Sequence, residues 1–119
     1  MLARHLRLKH PQDFQRIREQ GKHLRDRLLS LNVLANNLSH NRFGFVTSRR
    51  IGNAVTRNRI KRRLRVAVHN RLNRLAAGYD VVVIAHPVAA SASFHDLDAR
   101  LDDLLGKAGL LGRQPTESE

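Results

Sequence analysis

The fold is decided by the stretch at residues 52–65, GNAVTRNRIKRRLR, which predicts a helix with two different faces. Gly52 interrupts the chain, and Asn53 is a favoured N-cap for a helix that begins at about Ala54. Apolar side chains follow at helical spacing, which is typical of a helix packed on a sheet. This pattern predicts that the helix ends at Gly78. The apolar stripe comprises Val55, Ile60, Leu64, Ala67, Val68, Leu72 and Leu75.

The opposite face of this helix is basic and carries Arg62, Arg65 and His69. Residues 27–79 hold twelve Lys and Arg and no acidic residue, whereas residues 80–119 have a net charge of −4. No acid within the basic segment offsets its repulsion, which favours a polyanionic partner over a merely solvated helix face. Nucleic acid is the first candidate, because phosphate contacts release counterions. An anionic membrane is less favoured, because the basic helix has no long apolar face to insert.

The composition predicts a single domain over residues 1–119, with frayed ends at residues 1–6 and 109–119. The chain is 41% hydrophobic but only 4% aromatic, so the core is expected to be mainly aliphatic. It has no cysteine, which excludes disulfides and thiolate metal sites. The N-terminus has no continuous apolar stretch of the signal-peptide kind. We therefore expect a cytoplasmic protein.

The remaining segments predict an α/β domain with the element order α-β-β-α-β-α. The first helix is expected from Pro11 to Gly21, and the last helix from a capping box at Ser93. The close spacing of the first two strands suggests a hairpin, and a further short strand is a candidate near residues 46–51. Residues 80–85 are almost wholly apolar, which predicts a central strand covered on both faces. The three strands are expected at residues 28–35, 42–48 and 80–85.

The chain lacks the residue groups that catalysis by the protein itself would need. The basic segment has no carboxylates to hold metal ions, and no two of the seven histidines are four residues apart. We therefore expect no catalytic and no metal-ligating residue, although a pair of histidines acting as acid and base stays an alternative. Phe14 is either a core residue or an aromatic platform for an unpaired base.

The run at residues 48–62, SRRIGNAVTRNRIKR, resembles the signature of the bacterial ribonuclease P protein component, which is centred on an Arg-Asn-Arg motif. The resemblance extends in both directions. Arg7-Leu8-Lys9 followed by Asp13-Phe14 is similar to the N-terminal segment of the family, and GYDVVVIA at residues 78–85 is similar to its last strand. The similarity covers about residues 7–106.

This resemblance implies an α+β sandwich of about four strands with a left-handed β-α-β crossover, against the usual right-handed rule. It implies the auxiliary subunit of an endoribonuclease that removes the 5′ leader of precursor tRNA. The RNA subunit would perform the hydrolysis and hold most of the Mg²⁺, and the protein would assist and broaden the substrate range. The expected partners are the catalytic RNA and precursor tRNA, with no DNA and no membrane.

The resemblance also assigns residues by position. Departures occur at Arg18 and near Asn32, where the family often has aromatic residues, and at His86, where it commonly has a basic one. They imply leader binding that relies more on charge than on stacking. The residues implied to bind RNA are Arg49, Arg50, Asn53, Arg57, Asn58, Arg59, Lys61, Arg62 and Arg65. Those implied to line the leader groove are Phe14, Arg18, Asn32, Arg49 and Arg50.

Three rival classes share some of these features. A basic ribosomal protein or RNA chaperone has the same charge but no preference for a 5′ leader. A DNA-binding module would need a helix and a short turn before the basic helix, where the sequence predicts a strand. A nuclease that acts without RNA would cleave as purified protein.

Overall fold

The computed structural model describes residues 2–112. The helices are α1 (Pro11–Gln20), α2 (Ala54–His69) and α3 (Phe94–Lys107). The strands are β1 (Lys22–Arg25), β2 (Leu29–Ala35), β3 (Arg42–Thr47) and β4 (Tyr79–Ala85). Short 3-10 helices are formed by Arg4–Leu6, Arg49–Ile51, Leu72–Arg74 and Pro87–Ser91.

Strand β4 lies inside a four-stranded mixed sheet with the order β1-β2-β4-β3. It pairs antiparallel with β2 and parallel with β3, so that Val83 lies opposite both Leu31 and Phe45. Val81, Val82 and Val83 are buried, which confirms a central strand covered on both faces. The prediction that β2 and β3 form a hairpin is wrong. Strand β4 lies between them and forms ladder hydrogen bonds with both.

The hairpin of this fold is formed instead by β1 and β2, and the sequence did not predict β1. Leu24 is the one side chain of β1 that packs against the core, so the strand has little apolar signal. The Asp26 carboxylate accepts hydrogen bonds from the amides of Leu28 and Leu29, both at 2.9 Å, and thereby closes the turn. The further strand expected near residues 46–51 is absent from the described chain, since Arg49–Ile51 form a 3-10 helix.

The sheet separates two layers of helices. On one face, α2 and α3 cover the main core, in which Ile60, Leu64 and Leu101 are fully buried. On the other face, α1 buries Ile17 against Val82. Because α1 is a single helix on a four-stranded sheet, part of this second face stays accessible.

Helix α2 is shorter than predicted, since it ends at His69 rather than near Gly78. The chain turns at Arg71, whose buried guanidinium donates to the carbonyl of Ala67 at 2.9 Å. Leu72 and Leu75 still pack against the core from a 3-10 turn that follows. Val55 does not belong to the packed stripe, because it is 72% exposed.

Both ends of the described chain contact the core, and the fraying expected at residues 2–6 and 109–112 stays a prediction. Leu2 and Leu110 are only 2% and 3% exposed. The amide of Ala76 donates to the carbonyl of Leu110 at 2.8 Å, which ties the C-terminal segment to the loop before β4. Residue 1 and residues 113–119, also expected to fray, lie outside the described residues.

The connection β3-α2-β4 joins two adjacent parallel strands, as the predicted crossover requires. The left hand of this crossover stays a prediction from the resemblance. Within residues 2–112, no helix is long and apolar enough to cross a membrane.

Candidate nucleic-acid interface

The outer face of α2 presents a row of polar and basic side chains. Asn53 caps the helix, because its side-chain oxygen accepts from the amide of Thr56 at 3.0 Å. Asn58 and Arg62 are exposed, whereas the predicted RNA-binding residues Arg57, Lys61 and Arg65 are half-buried along the flanks. Ile60, Leu64, Ala67 and Val68 lie on the buried side, so packing fixes the direction in which the cations project.

Arg59 and Arg63 differ from the other α2 arginines because they also hold the fold together. Arg59 donates to the carbonyl of Ala90 at 3.0 Å, and Arg63 donates to the carbonyl of Ala92 at 3.1 Å. These bonds attach the 3-10 helix Pro87–Ser91 and the residue after it to α2. Arg59 therefore combines its predicted RNA contact with a structural role that the sequence did not indicate.

Part of the positive charge of residues 27–79 is neutralised inside the fold by acidic residues that lie outside that segment. Asp80 is fully buried and accepts two hydrogen bonds from Arg42, at 2.8 and 2.7 Å, and one from Arg16 at 3.0 Å. Burial alone would raise the pKa of Asp80, but hydrogen bonds from Arg42, Asn36 and Arg16 lower it below its ordinary value. This cluster locks α1 onto the sheet.

A buried arginine, Arg71, connects the segment after α2 to α3. Arg71 donates to Asp98 at 2.6 Å and to Asp102 at 2.9 Å. The hydrogen bond from Arg71 lowers the pKa of the Asp98 carboxyl. Because Arg42 and Arg71 are occupied in this way, the cations of residues 27–79 left for a partner are concentrated on α2 and on the 3-10 helix before it.

Phe14 lies directly on Gly44 of β3. A Cβ atom at residue 44 would lie 2.5 Å from a ring carbon of Phe14, so only glycine leaves room for the ring. The half-buried ring forms one wall of a groove of about 210 Å³, and Lys61 and Arg65 of α2 form another. The Arg65 guanidinium also lies 6.0 Å from the ring centre of Phe45. Phe14 therefore packs on the sheet and also faces a basic groove, and its role as a platform for an unpaired base stays a prediction.

Arg18 and Asn32 line a second groove, of about 430 Å³, on the same side of the sheet as α1. Arg18 is one helical turn after Phe14, so the two residues share a face of α1. The far side of this groove is formed by His23 and Arg25 of β1. Sequence reasoning missed both residues because it missed the strand that positions them.

Arg49 and Arg50 line neither of these grooves. They are exposed on the 3-10 helix that follows β3, at the edge where β4 also ends. Gly52 follows with a φ of +149°, which favours glycine and turns the chain into α2. At the same edge, His86 and Ser30 form a hydrogen bond of 2.8 Å. The predicted leader residues thus occupy three places rather than one.

The described residues do not offer a metal site. No group of three or more His, Cys, Asp or Glu within residues 2–112 could hold a metal ion. The two carboxylates with lowered pKa values, Asp80 and Asp98, both face arginines. The donor set of residues 2–112 therefore does not fit Mg²⁺.

Comparisons with known proteins agree with this geometry. The family model described as ribonuclease P matches residues 2–109. The ribonuclease P protein component of Roseiflexus sp. (strain RS-1) is 40% identical, over 92% of this chain and 91% of the relative. The structure of the Staphylococcus aureus RNase P protein superposes with a TM-score of 0.83 and 30% identity, and covers 90% of this chain and 98% of that one.

The RNase P protein from Thermotoga maritima has the same fold, with a TM-score of 0.79 and 28% identity over 85% of this chain and 96% of that one. The family-model match spans nearly the whole described chain and includes the run at residues 48–62 that carried the resemblance. They confirm the α+β fold class of a single compact domain with a four-stranded mixed sheet. The chain therefore belongs to the ribonuclease P protein family.

Proposed function

We propose that this protein binds the catalytic RNA of ribonuclease P and the 5′ leader of precursor tRNA, and so assists removal of the leader. The observation that carries the proposal is the outer face of α2. Its cations Arg57, Lys61, Arg62 and Arg65 make no salt bridge within the described chain, whereas Arg42 and Arg71 do. Unpaired cations held on a packed helix are suited to phosphate contacts.

The first role is assembly with the catalytic RNA through α2. Each phosphate that such a cation neutralises releases counterions, so affinity falls as salt rises. Arginine suits this role, because its planar guanidinium can form two hydrogen bonds to one phosphate. Asn53 and Asn58 add polar groups at the start of the same face.

The second role is to position the single-stranded leader along α1. A strand that follows the shared face of Phe14 and Arg18 would meet both grooves in turn. Phe14 offers a ring for stacking at one end, and Arg18 and Arg25 offer charge at the other. Arg49 and Arg50 would extend the charged path at the sheet edge.

The chemistry is proposed to reside in the RNA subunit, which would hold the Mg²⁺. The carboxylates of the protein support this assignment, because the described acids are not grouped as metal ligands. The protein would act by neutralising phosphates and by fixing the leader, so that precursor is bound better than mature tRNA.

Processing of a precursor tRNA at low magnesium tests the proposal. The reaction is run with protein alone, with catalytic RNA alone and with both. We expect cleavage only in the mixtures that contain RNA, and faster cleavage when the protein is added. Cleavage by protein alone would indicate a nuclease, and protein that fails to stimulate the RNA would indicate a general RNA chaperone or ribosomal protein.

Variants then test the residues. Arg62→Ala is expected to weaken assembly with the catalytic RNA and to reduce the slope of log affinity against log salt by about 0.7–0.9. Arg100→Ala, an exposed arginine on α3, is the matched control and should leave the slope unchanged. An equal effect of the two variants would contradict the assignment of α2.

A further inference from the structure

A basic pocket of about 270 Å³ lies away from the outer face of α2, between the first 3-10 helix, the start of α1 and the turn that joins β2 to β3. Arg4 and His5 contribute from the 3-10 helix, and Lys9 and His10 contribute from the segment before α1. His40 contributes from the turn. We call this the N-terminal pocket.

The charges in the N-terminal pocket are only partly compensated. Asp13 is its acidic residue, and it lies 3.9 Å from Arg42 and 3.5 Å from Arg16. Arg42 is in turn held by the buried Asp80 cluster. Arg4 and Lys9 form no salt bridge within residues 2–112, so two cations face the pocket without a counterion from the described chain.

Histidine side chains supply further hydrogen-bond donors. The rings of His5 and His40 pack edge to face, with their centres 5.2 Å apart. His10 precedes α1 and makes no side-chain hydrogen bond to the helix start. Since the described residues hold no group suited to a metal ion, these imidazoles are better placed to donate to an anion than to coordinate a cation.

Arg7 connects the N-terminal pocket to the α2 surface. It lines both this pocket and the groove formed by Phe14, Lys61 and Arg65. Its guanidinium donates to the carbonyl of Leu2 at 2.8 and 3.1 Å, which fixes it between the two cavities. The basic surface is thus continuous around the edge of the sheet at β3.

We propose that the N-terminal pocket binds a phosphate of an RNA backbone and forms a contact separate from α2 and from the grooves along α1. Two unpaired cations, several imidazole donors and continuity with the α2 surface favour a chain of phosphates over an isolated anion. The inference rests on the proposed function only in that RNA is the partner.

The double variant Arg4→Ala/Lys9→Ala tests this contact. Both side chains are exposed, so the fold should be retained, which circular dichroism and thermal unfolding check. We expect about a tenfold loss of RNA affinity at moderate salt and a salt slope lower by about 1.4–1.8. The charge-matched control Arg100→Ala/Lys107→Ala on α3 should keep both values. Charge reversal, Arg4→Glu/Lys9→Glu, should enlarge the loss.

Two binding measurements, one with the catalytic RNA alone and one with precursor tRNA and the assembled complex, identify which RNA supplies the phosphate. Loss of affinity for the catalytic RNA alone places the contact in that subunit. Loss seen only when the assembled complex binds precursor tRNA places it in the substrate. A folded double variant that matches wild type in both measurements, or a control that loses as much affinity, overturns the inference. Stimulation of RNA-catalysed cleavage by the wild-type protein is measured first. If the wild-type protein does not stimulate cleavage, the proposed function fails, and this outcome is distinct from failure of the N-terminal pocket to bind phosphate.

Discussion

Gly44→Ala tests how Phe14 is seated on the sheet. The added Cβ would lie 2.5 and 2.6 Å from two ring carbons of Phe14, whereas carbon atoms pack at about 3.5–4.0 Å. The ring must therefore move by about 1 Å or more. Because the ring is half-exposed, it can swing toward solvent, and we expect a loss of about 1–2 kcal/mol in the free energy of unfolding. This corresponds to a decrease in Tm of about 4–10 °C.

A double-mutant cycle isolates this contact. In a Phe14→Ala background the new methyl group would have Leu8 as its neighbour, at 3.4 Å from the Leu8 Cβ, which is ordinary contact. The cost of Gly44→Ala should then fall to near zero, which gives a coupling energy of about 1 kcal/mol or more. Urea unfolding of the four proteins measures it. An equal cost in both backgrounds would refute the packing of the ring on Gly44.

The same variants have a functional readout. Displacing the Phe14 ring should weaken binding of leader-bearing precursor and leave binding of mature tRNA and of the catalytic RNA unchanged. Phe14→Ala should have the same direction of effect. Equal losses for precursor and mature tRNA would mean that Phe14 supports the fold and does not touch the leader.

Other variants test the buried ion pairs and the shared arginine. Asp80→Asn leaves two guanidinium groups facing a neutral amide and should cost about 3–5 kcal/mol in urea unfolding. The pKa of Asp80 is lower in the folded chain than its ordinary value of 3.8. The ionised carboxylate therefore stabilises the fold above pH 3.8, and this stabilisation is lost as the pH falls through the folded pKa. Acid titration of stability should show this decline, and Asp80→Asn should flatten it. Arg71→Met should cost about 1–3 kcal/mol, with no change in RNA affinity per folded molecule. Arg59→Ala should lower both thermal stability and RNA affinity, whereas Arg62→Ala should lower affinity alone.

Periodicity predicted the elements whose apolar pattern is strong. The buried stripe of α2, the central position of β4 and the capped start of α3 follow from local spacing, and all three are present. Strand β1 was missed because Leu24 is its one core contact. The order of the strands was missed because spacing along the chain predicts that β4 is central but does not encode which strands pair with its two edges.

The placement of the candidate site residues could be derived from the sequence where they share one helix, and less so where several elements contribute. Neighbours on α2 follow from the sequence, so its exposed basic face could be derived. The seat of Phe14 on Gly44, the partners of Arg42 and the bond from Arg59 to Ala90 involve residues distant in sequence. No local pattern contains these contacts.

The central position of β4 has a consequence for how the chain folds during synthesis. Residues 1–79 contain nineteen Lys and Arg and three acidic residues, a net charge of +16. Until β4 emerges, β2 and β3 lack the strand between them, and Arg42 lacks Asp80. Contacts of long sequence separation form late, so the sheet can close only after most of the chain has been made. The nascent protein is therefore most exposed to premature contact with RNA just before the residues that complete its fold arrive.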